Sequence, residues 1–174
     1  MKGFVLGVMV ALIALFLGVM IYTRMGFVDV AADQEPGAME KMIMGGSVDP
    51  SVERHAEHTA FPMEVNDANL IQGMKVYQMN CALCHGGVDK KPAAVGQNLF
   101  PRAPQFIVRG RGLHDPGWFT FYQTKHGIRH TGMPAWDKVL ADDDIWKVTM
   151  YLENLANLPP AVQAEIKQSF PNAQ

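Results

Sequence analysis

Cysteine is nearly absent: Cys81 and Cys84 are the two in 174 residues. Thiols so close together cannot staple a large loop, so a disulfide scaffold is excluded. No second cysteine pair exists to complete a four-ligand zinc site, and no βαβ context supports a thioredoxin-like redox motif. No charge of either sign dominates, with 15 Lys+Arg against 17 Asp+Glu. A basic face for nucleic acid is missing. Alternating apolar and polar residues, the mark of a half-buried strand, are also missing, and no internal repeat is visible.

Charge itself is absent from Gly3 to Tyr22, a run of 20 residues. At about 1.5 Å rise per residue such a helix spans roughly 30 Å, the hydrocarbon thickness of a bilayer. The rival is a cleaved signal peptide, whose apolar region is about 7–15 residues. This run is longer, and the nearest small-residue pattern, Val30-Ala31-Ala32, lies well past its end. Residues 1–23 are therefore read as a retained transmembrane anchor. Lys2 and Arg24 flank it too evenly for charge to orient it.

Residues 24–62 read as a linker, with turn signals at Asp33-Gln34-Glu35-Pro36-Gly37, Gly45-Gly46-Ser47 and Asp49-Pro50. A folded domain is expected over 63–158, with a short helix or tail over 159–174. Asn66 can cap a first helix on which Leu70, Met74 and Tyr77 recur at helical spacing. Asp142-Asp143-Asp144 suit the N-terminus of another, along which Ile145, Val148, Thr149, Leu152 and Leu155 form a stripe. A short helix fits Trp118–His126, and Pro160 can open a last one carrying Val162, Ile166 and Phe170. The expected class is all-α with long loops.

What is present is chemically specific. Cys81-Ala82-Leu83-Cys84-His85 is the attachment pattern for c-type haem. Two thiols must add to two vinyl groups of one porphyrin from the same side of the backbone, and positions i and i+3 of a helical turn share a face. The next residue, His85, can then place an imidazole nitrogen under the iron. One covalent haem c is the expected cofactor. Met133, in Gly132-Met133-Pro134, is the candidate for the opposite face: it lies in a segment without helical period, where glycine permits close approach and proline stiffens the turn. Met79 is too near the attachment turn to cross the haem, and Met74 and Met150 lie in helical stripes. His126 and His130 stay open as rival ligands. His55 and His58 share a helical face but lack further metal partners.

On these residues the sequence is similar to the class I cytochromes c, of the membrane-anchored monohaem type found as single-haem domains of bacterial oxidase-associated cytochromes. The likeness is carried by Gly73-Met74-Lys75-Val76-Tyr77 running into Cys81–Gly86, by Asn98-Leu99-Phe100-Pro101-Arg102-Ala103-Pro104, by Lys125 to Trp136, and by Asp144-Ile145-Trp146 with Tyr151-Leu152. It covers Asn66 to Leu158. The resemblance implies a class I cytochrome c fold, with first and last helices crossing at Gly73 among Tyr77, Trp146 and Tyr151, and with haem held in the loops. It implies that a proline carbonyl accepts a hydrogen bond from the axial histidine. The loop lacks the common Gly-Pro-x-Leu spelling, so Pro101 and Pro104 are the two prolines available. For the haem propionates the candidates are Arg102, Arg109, Arg111 and Arg129, with Trp118 or Trp136 as an N–H donor.

The function so implied is electron transfer rather than catalysis, in a respiratory or related chain, with the soluble domain on the periplasmic side of a bacterial inner membrane. Implied partners are redox proteins or a membrane complex: a quinol-oxidising complex, a terminal oxidase or a dehydrogenase. The alternative is a haem enzyme or gas sensor, which needs a displaceable sixth ligand.

Overall fold

The structure, a computed structural model, describes residues 1–110 and 113–171, without the Arg109 side chain. Arg111, one of the arginines put forward for the propionates, thus lies outside the described residues, as does the Arg109 side chain. Among the described residues every regular element is helical.

The chain forms two compact units, residues 1–35 and Pro36 onward. The first is built on α1 (Lys2–Arg24), a 23-residue helix with no buried residue. Its length and apolar composition suit it to cross a membrane. Phe4, Leu6, Leu15 and Phe16 all point outward, so it is apolar all round, as a lipid-facing helix must be.

The second unit opens with α2 (Ala38–Glu40), which continues as a π-helical turn, Lys41–Gly45. Then come α3 (Val48–His55), α4 (Asp67–Asn80), α5 (Ala82–His85), α6 (Ala94–Gln97), α7 (Phe106–Arg109), α8 (Gly117–His126), α9 (Asp142–Glu153), a 3-10 turn (Leu155–Asn157) and α10 (Pro160–Ser169). Two helices make the core. Helix α4 starts where Asn66 accepts a hydrogen bond from the Asn69 backbone N–H (3.0 Å), a cap that stabilises by about 1 kcal/mol. Its buried face carries Leu70, Gly73, Met74, Val76 and Tyr77. Helix α9 starts with three aspartates in its first turn, where the helix dipole favours them. Seven of its residues are buried, from Ile145 to Leu152.

The two helices meet backbone to backbone. A Cβ placed on Gly73 would stand 2.0 Å from the Lys147 carbonyl oxygen and 2.5 Å from its carbon. Ordinary aromatic packing requires no such contact, so the Gly73 approach is what distinguishes this crossing from a generic helical core. Tyr77 and Tyr151 face each other beside it, ring centroids 5.8 Å apart. Trp146 turns to the other side, stacked on Phe121 at 4.1 Å and meeting Phe61 edge-on at 5.4 Å.

Two further segments cover the core. Val52 of α3 is buried, α3 packs against α8, and His58 stacks on Trp118 at 3.9 Å. Helix α10 begins at Pro160, whose missing N–H costs nothing at a helix start, and inserts Val162 beside Leu70 and Met150. Lys75 and Glu165 pair at 2.8 Å between α4 and α10, which holds the Glu165 carboxyl below its ordinary value. Helix α9 ends at Glu153, so Leu155 of the expected stripe falls in the following 3-10 turn, where it still packs against the core.

Gly73→Ala forces α4 and α9 apart at rigid backbone atoms, and we expect a loss of at least ~2 kcal/mol in chemical denaturation of the detergent-solubilised chain. Gly37, where a Cβ would meet nothing within 4 Å, should accept the same change within about 0.5 kcal/mol.

Candidate functional site

Helix α4 runs without a loop into the short turn α5, because the Cys81 N–H still reaches the Tyr77 carbonyl (2.8 Å) and the His85 N–H reaches that of Cys81 (2.9 Å). Cys81 and Cys84 are therefore one turn apart on a common face. The turn ends at Gly86, whose φ of +85° favours glycine. The buried Tyr77 hydroxyl donates to the Gly86 carbonyl (2.8 Å) and locks that ending. Burial pushes the Tyr77 and Tyr151 phenols up, so both stay neutral.

Cys81 is buried and Cys84 half-buried, and both are free of disulfide. Burial first, then the neighbouring Cys84, pushes the Cys81 thiol up to about 12. His85 is half-buried, and its Nδ1 lies 2.9 Å from the Pro104 carbonyl oxygen. A carbonyl only accepts, so Nδ1 carries the proton and Nε2 keeps its lone pair free. Burial holds the imidazole below its ordinary value, and the Pro104 bond acts in the opposite sense. The ring is also held by Phe106, stacked at 4.9 Å. Of the two prolines expected for this contact, Pro104 makes it. Pro101, which follows a cis peptide bond, lines the cavity described next.

A cavity of about 380 Å³ opens above the turn. Cys81, Cys84, His85 and Pro104 form one side, and Met133, Ile128, Leu99 and Trp136 also line it. The Met133 loop is set by a chain of contacts. The Ile128 N–H donates to the Met133 carbonyl (3.1 Å), and the Met133 N–H donates to the Thr131 hydroxyl (3.0 Å). Gly127, at φ +67°, lets this loop fold back, since a Cβ there would come within 2.6 Å of the Ala135 nitrogen. Gly132 seats the Leu99 side chain, which a Cβ would meet at 2.7 Å.

The structure thus brings Cys81, Cys84, His85, Met133, Pro101, Pro104, Arg102 and Trp136 around one cavity. The rivals fall elsewhere. Met79 is exposed, Met74 and Met150 are fully buried in the core, and neither His126 nor His130 is among the lining residues. Trp118 is engaged with His58, and Arg129 does not line the cavity. His55 and His58 bond to backbone carbonyls of Ser51 and Glu53. Among the described residues no three His, Cys, Asp or Glu side chains converge as a metal cluster.

Two contributors escaped the sequence. Gly96 lies so close beneath the turn that a Cβ would stand 1.8 Å from the Cys84 carbonyl oxygen. Gln105, buried, donates to the Cys84 carbonyl (2.8 Å). Nothing local marks either residue, because what each touches lies in the attachment turn, across a loop.

The cavity fits a haem on its own chemistry. A volume of a few hundred Å³ is usual for cofactor sites, and the lining is mainly apolar. Two thiols on one face stand beside an imidazole with a free Nε2, and a thioether lines the same space. Comparison with known proteins agrees. Residues 68–152 match the family of subunit III of cbb3-type cytochrome c oxidase. The CcoP subunit of the cbb3-type oxidase of Azospirillum brasilense is 38% identical over 84 residues, or 48% of this chain and 28% of that one. CcoP of Azospirillum sp. (strain B510) is 32% identical over the same coverage. The chain therefore spans little more than a quarter of the length of these oxidase subunits. Cytochrome c6 of Tetradesmus obliquus is 30% identical over 92 residues, which is 94% of that protein and 52% of this one.

Removing the hydroxyl that ties α4 to Gly86 tests the lock on the turn. Tyr77→Phe should cost about 1–2 kcal/mol in denaturant unfolding, because the buried Gly86 carbonyl loses its donor.

Proposed function

The chain belongs to the cytochrome c family, and from that premise we propose that Cys81 and Cys84 would hold one haem c by thioether bonds and that His85 and Met133 would ligate its iron. The supporting observation is that these four side chains line a single apolar cavity whose proximal imidazole already presents the correct tautomer. Bound haem supplies a reversible one-electron couple at iron. The protein's part is to keep the site from reacting further. Met133 would offer the iron a soft, neutral thioether, which favours the ferrous state. Its loop is braced at Gly127, Thr131 and Gly132, so the sulfur is not easily displaced. Arg102 and the Trp136 N–H are the donors at hand for the propionates.

The chain is an electron carrier, and among the described residues one helix is suited to a membrane. We place the residues after Arg24 in the periplasm, where this family acquires its haem. We further propose that the domain exchanges electrons with a membrane terminal oxidase, as a subunit or a tethered donor. The similarity to CcoP supports that partner over a dehydrogenase. Tethering raises the local concentration of the domain near such a complex, and the segment from Met25 to Gly37 sets its reach.

Docking should rest on apolar contact. Leu83 lines the cavity and is 70% exposed, and Phe100, between the lining residues Leu99 and Pro101, is 38% exposed. From Thr59 onward, 11 basic residues face 10 acidic ones, too even a balance for strong steering.

Purified protein should give a pyridine haemochrome and keep its pigment through acid–acetone extraction. Loss of the pigment would refute covalent attachment. Reduced wild type should bind carbon monoxide slowly at neutral pH. Met133→Ala should bind it at least ~10-fold faster and show a lower midpoint potential, since the ligand that favours ferrous iron is gone. Rapid binding by the wild type would favour a haem enzyme or sensor instead. Electron transfer to the partner should change less than about threefold between roughly 50 and 200 mM salt.

A further inference from the structure

On the proximal side, Gln105 is 7% exposed and carries an amide in a setting that packing alone would fill with an apolar residue. Its orientation is dictated by its partners. Nε2 donates to two carbonyls, of Cys84 at 2.8 Å and of Ala103 at 2.9 Å, while Oε1 accepts from the Ala93 N–H at 2.7 Å. One side chain thereby ties together the attachment turn, the proximal loop and the residue that precedes α6.

The preceding residue, Pro104, is the one whose carbonyl accepts from His85 Nδ1. Cys84 thus faces Gln105, and His85 faces Pro104: two successive residues of the turn pair with two successive residues of the loop, in antiparallel order. A ring nitrogen held to one loop carbonyl leaves that carbonyl free to swing. A second tie one residue along removes the freedom.

We propose that Gln105 is a positioning residue that fixes the Pro104 carbonyl against His85 and so sets the strength of the proximal hydrogen bond and, through it, the redox potential. The inference rests on His85 being the iron ligand. A firm Nδ1–H bond makes the imidazole more basic, and a more basic ligand favours ferric iron. Loosening the bond therefore raises the potential.

Gln105→Met keeps length and volume but removes both donors and the acceptor. In the haem-loaded full chain, the reduced-to-oxidised ratio at the wild-type midpoint should rise at least ~3-fold, and exchange of the His85 Nδ1 proton, followed by NMR, should quicken at least ~10-fold. Ala93→Pro provides a second test. Ala93 has φ −73°, within the range of proline, and the change removes the N–H that anchors Gln105 Oε1 and puts the ring Cδ in its place, so the amide must turn away from its partners. It should shift both readouts in the same direction, and it decides the matter if Gln105→Met fails to take up haem. Haem-loaded wild type alongside variants with unaltered midpoint and unaltered proton exchange overturns the positioning role alone. Haem-loaded wild type whose His85 ring NMR signals lack the shifts of an iron-bound imidazole overturns the underlying ligand assignment and this inference with it.

Discussion

Contact between two backbones at Gly73 governs the rest of the domain. Helix α4 carries the attachment turn at its C-terminal end, so wherever α4 lies, Cys81, Cys84 and His85 follow. Its position is set by α9, whose Lys147 carbonyl occupies the space that a side chain at Gly73 would need. Close approach brings Tyr77 against Tyr151 and buries Met74, Val148 and Leu152 together. Each large apolar side chain fully removed from water contributes about 1.5–3 kcal/mol, so this seam is also the main source of stability.

From that fixed end the turn is held by groups distant in sequence. Tyr77 binds the carbonyl after the turn, Pro104 binds the histidine ring, Gln105 binds the Cys84 carbonyl, and Gly96 allows the loop to press against it. Four contacts on Cys84, His85 and Gly86 leave the turn little freedom of its own. Electron transfer benefits from such rigidity, because a site that does not rearrange between oxidation states spends little energy on reorganisation. The Met133 loop is braced in a different way, by its own glycines and by Thr131.

The segment before α4 adds a cover on the opposite side of the core. His58 lies flat on Trp118 and Phe61 meets the edge of Trp146, while Gly117 leaves room for the Phe61 ring. Residues 48–61 are thus packed onto α8 and α9 rather than trailing free, although their sequence shows mainly breakers and charge. The signal there is weak because Val52 alone is fully buried over residues 48–61, with Val48, Ala56 and Phe61 half-buried among charged and polar neighbours.

Much of the chemistry was legible in the linear chain because it is local. The Cys-x-x-Cys-His spacing needs only one helical turn to converge, Asn66 and Asp142–Asp144 mark helix starts through their own backbone neighbours, and an uncharged run of bilayer length declares itself by composition. What remained undecided depends on pairs far apart in the chain. Sequence left Pro101 and Pro104 equal, and it favoured Met133 while keeping His126 and His130 as rivals. It offered no reason to notice Gly96 or Gln105. Folding places them by distance: packing of the loop against the turn brings the Pro104 carbonyl to His85 and Gln105 to Cys84, and Met133 lines the cavity where the two histidines do not. A hydrogen bond across 19 or 21 residues has no periodicity for a sequence to display, so only the tertiary structure could assign it.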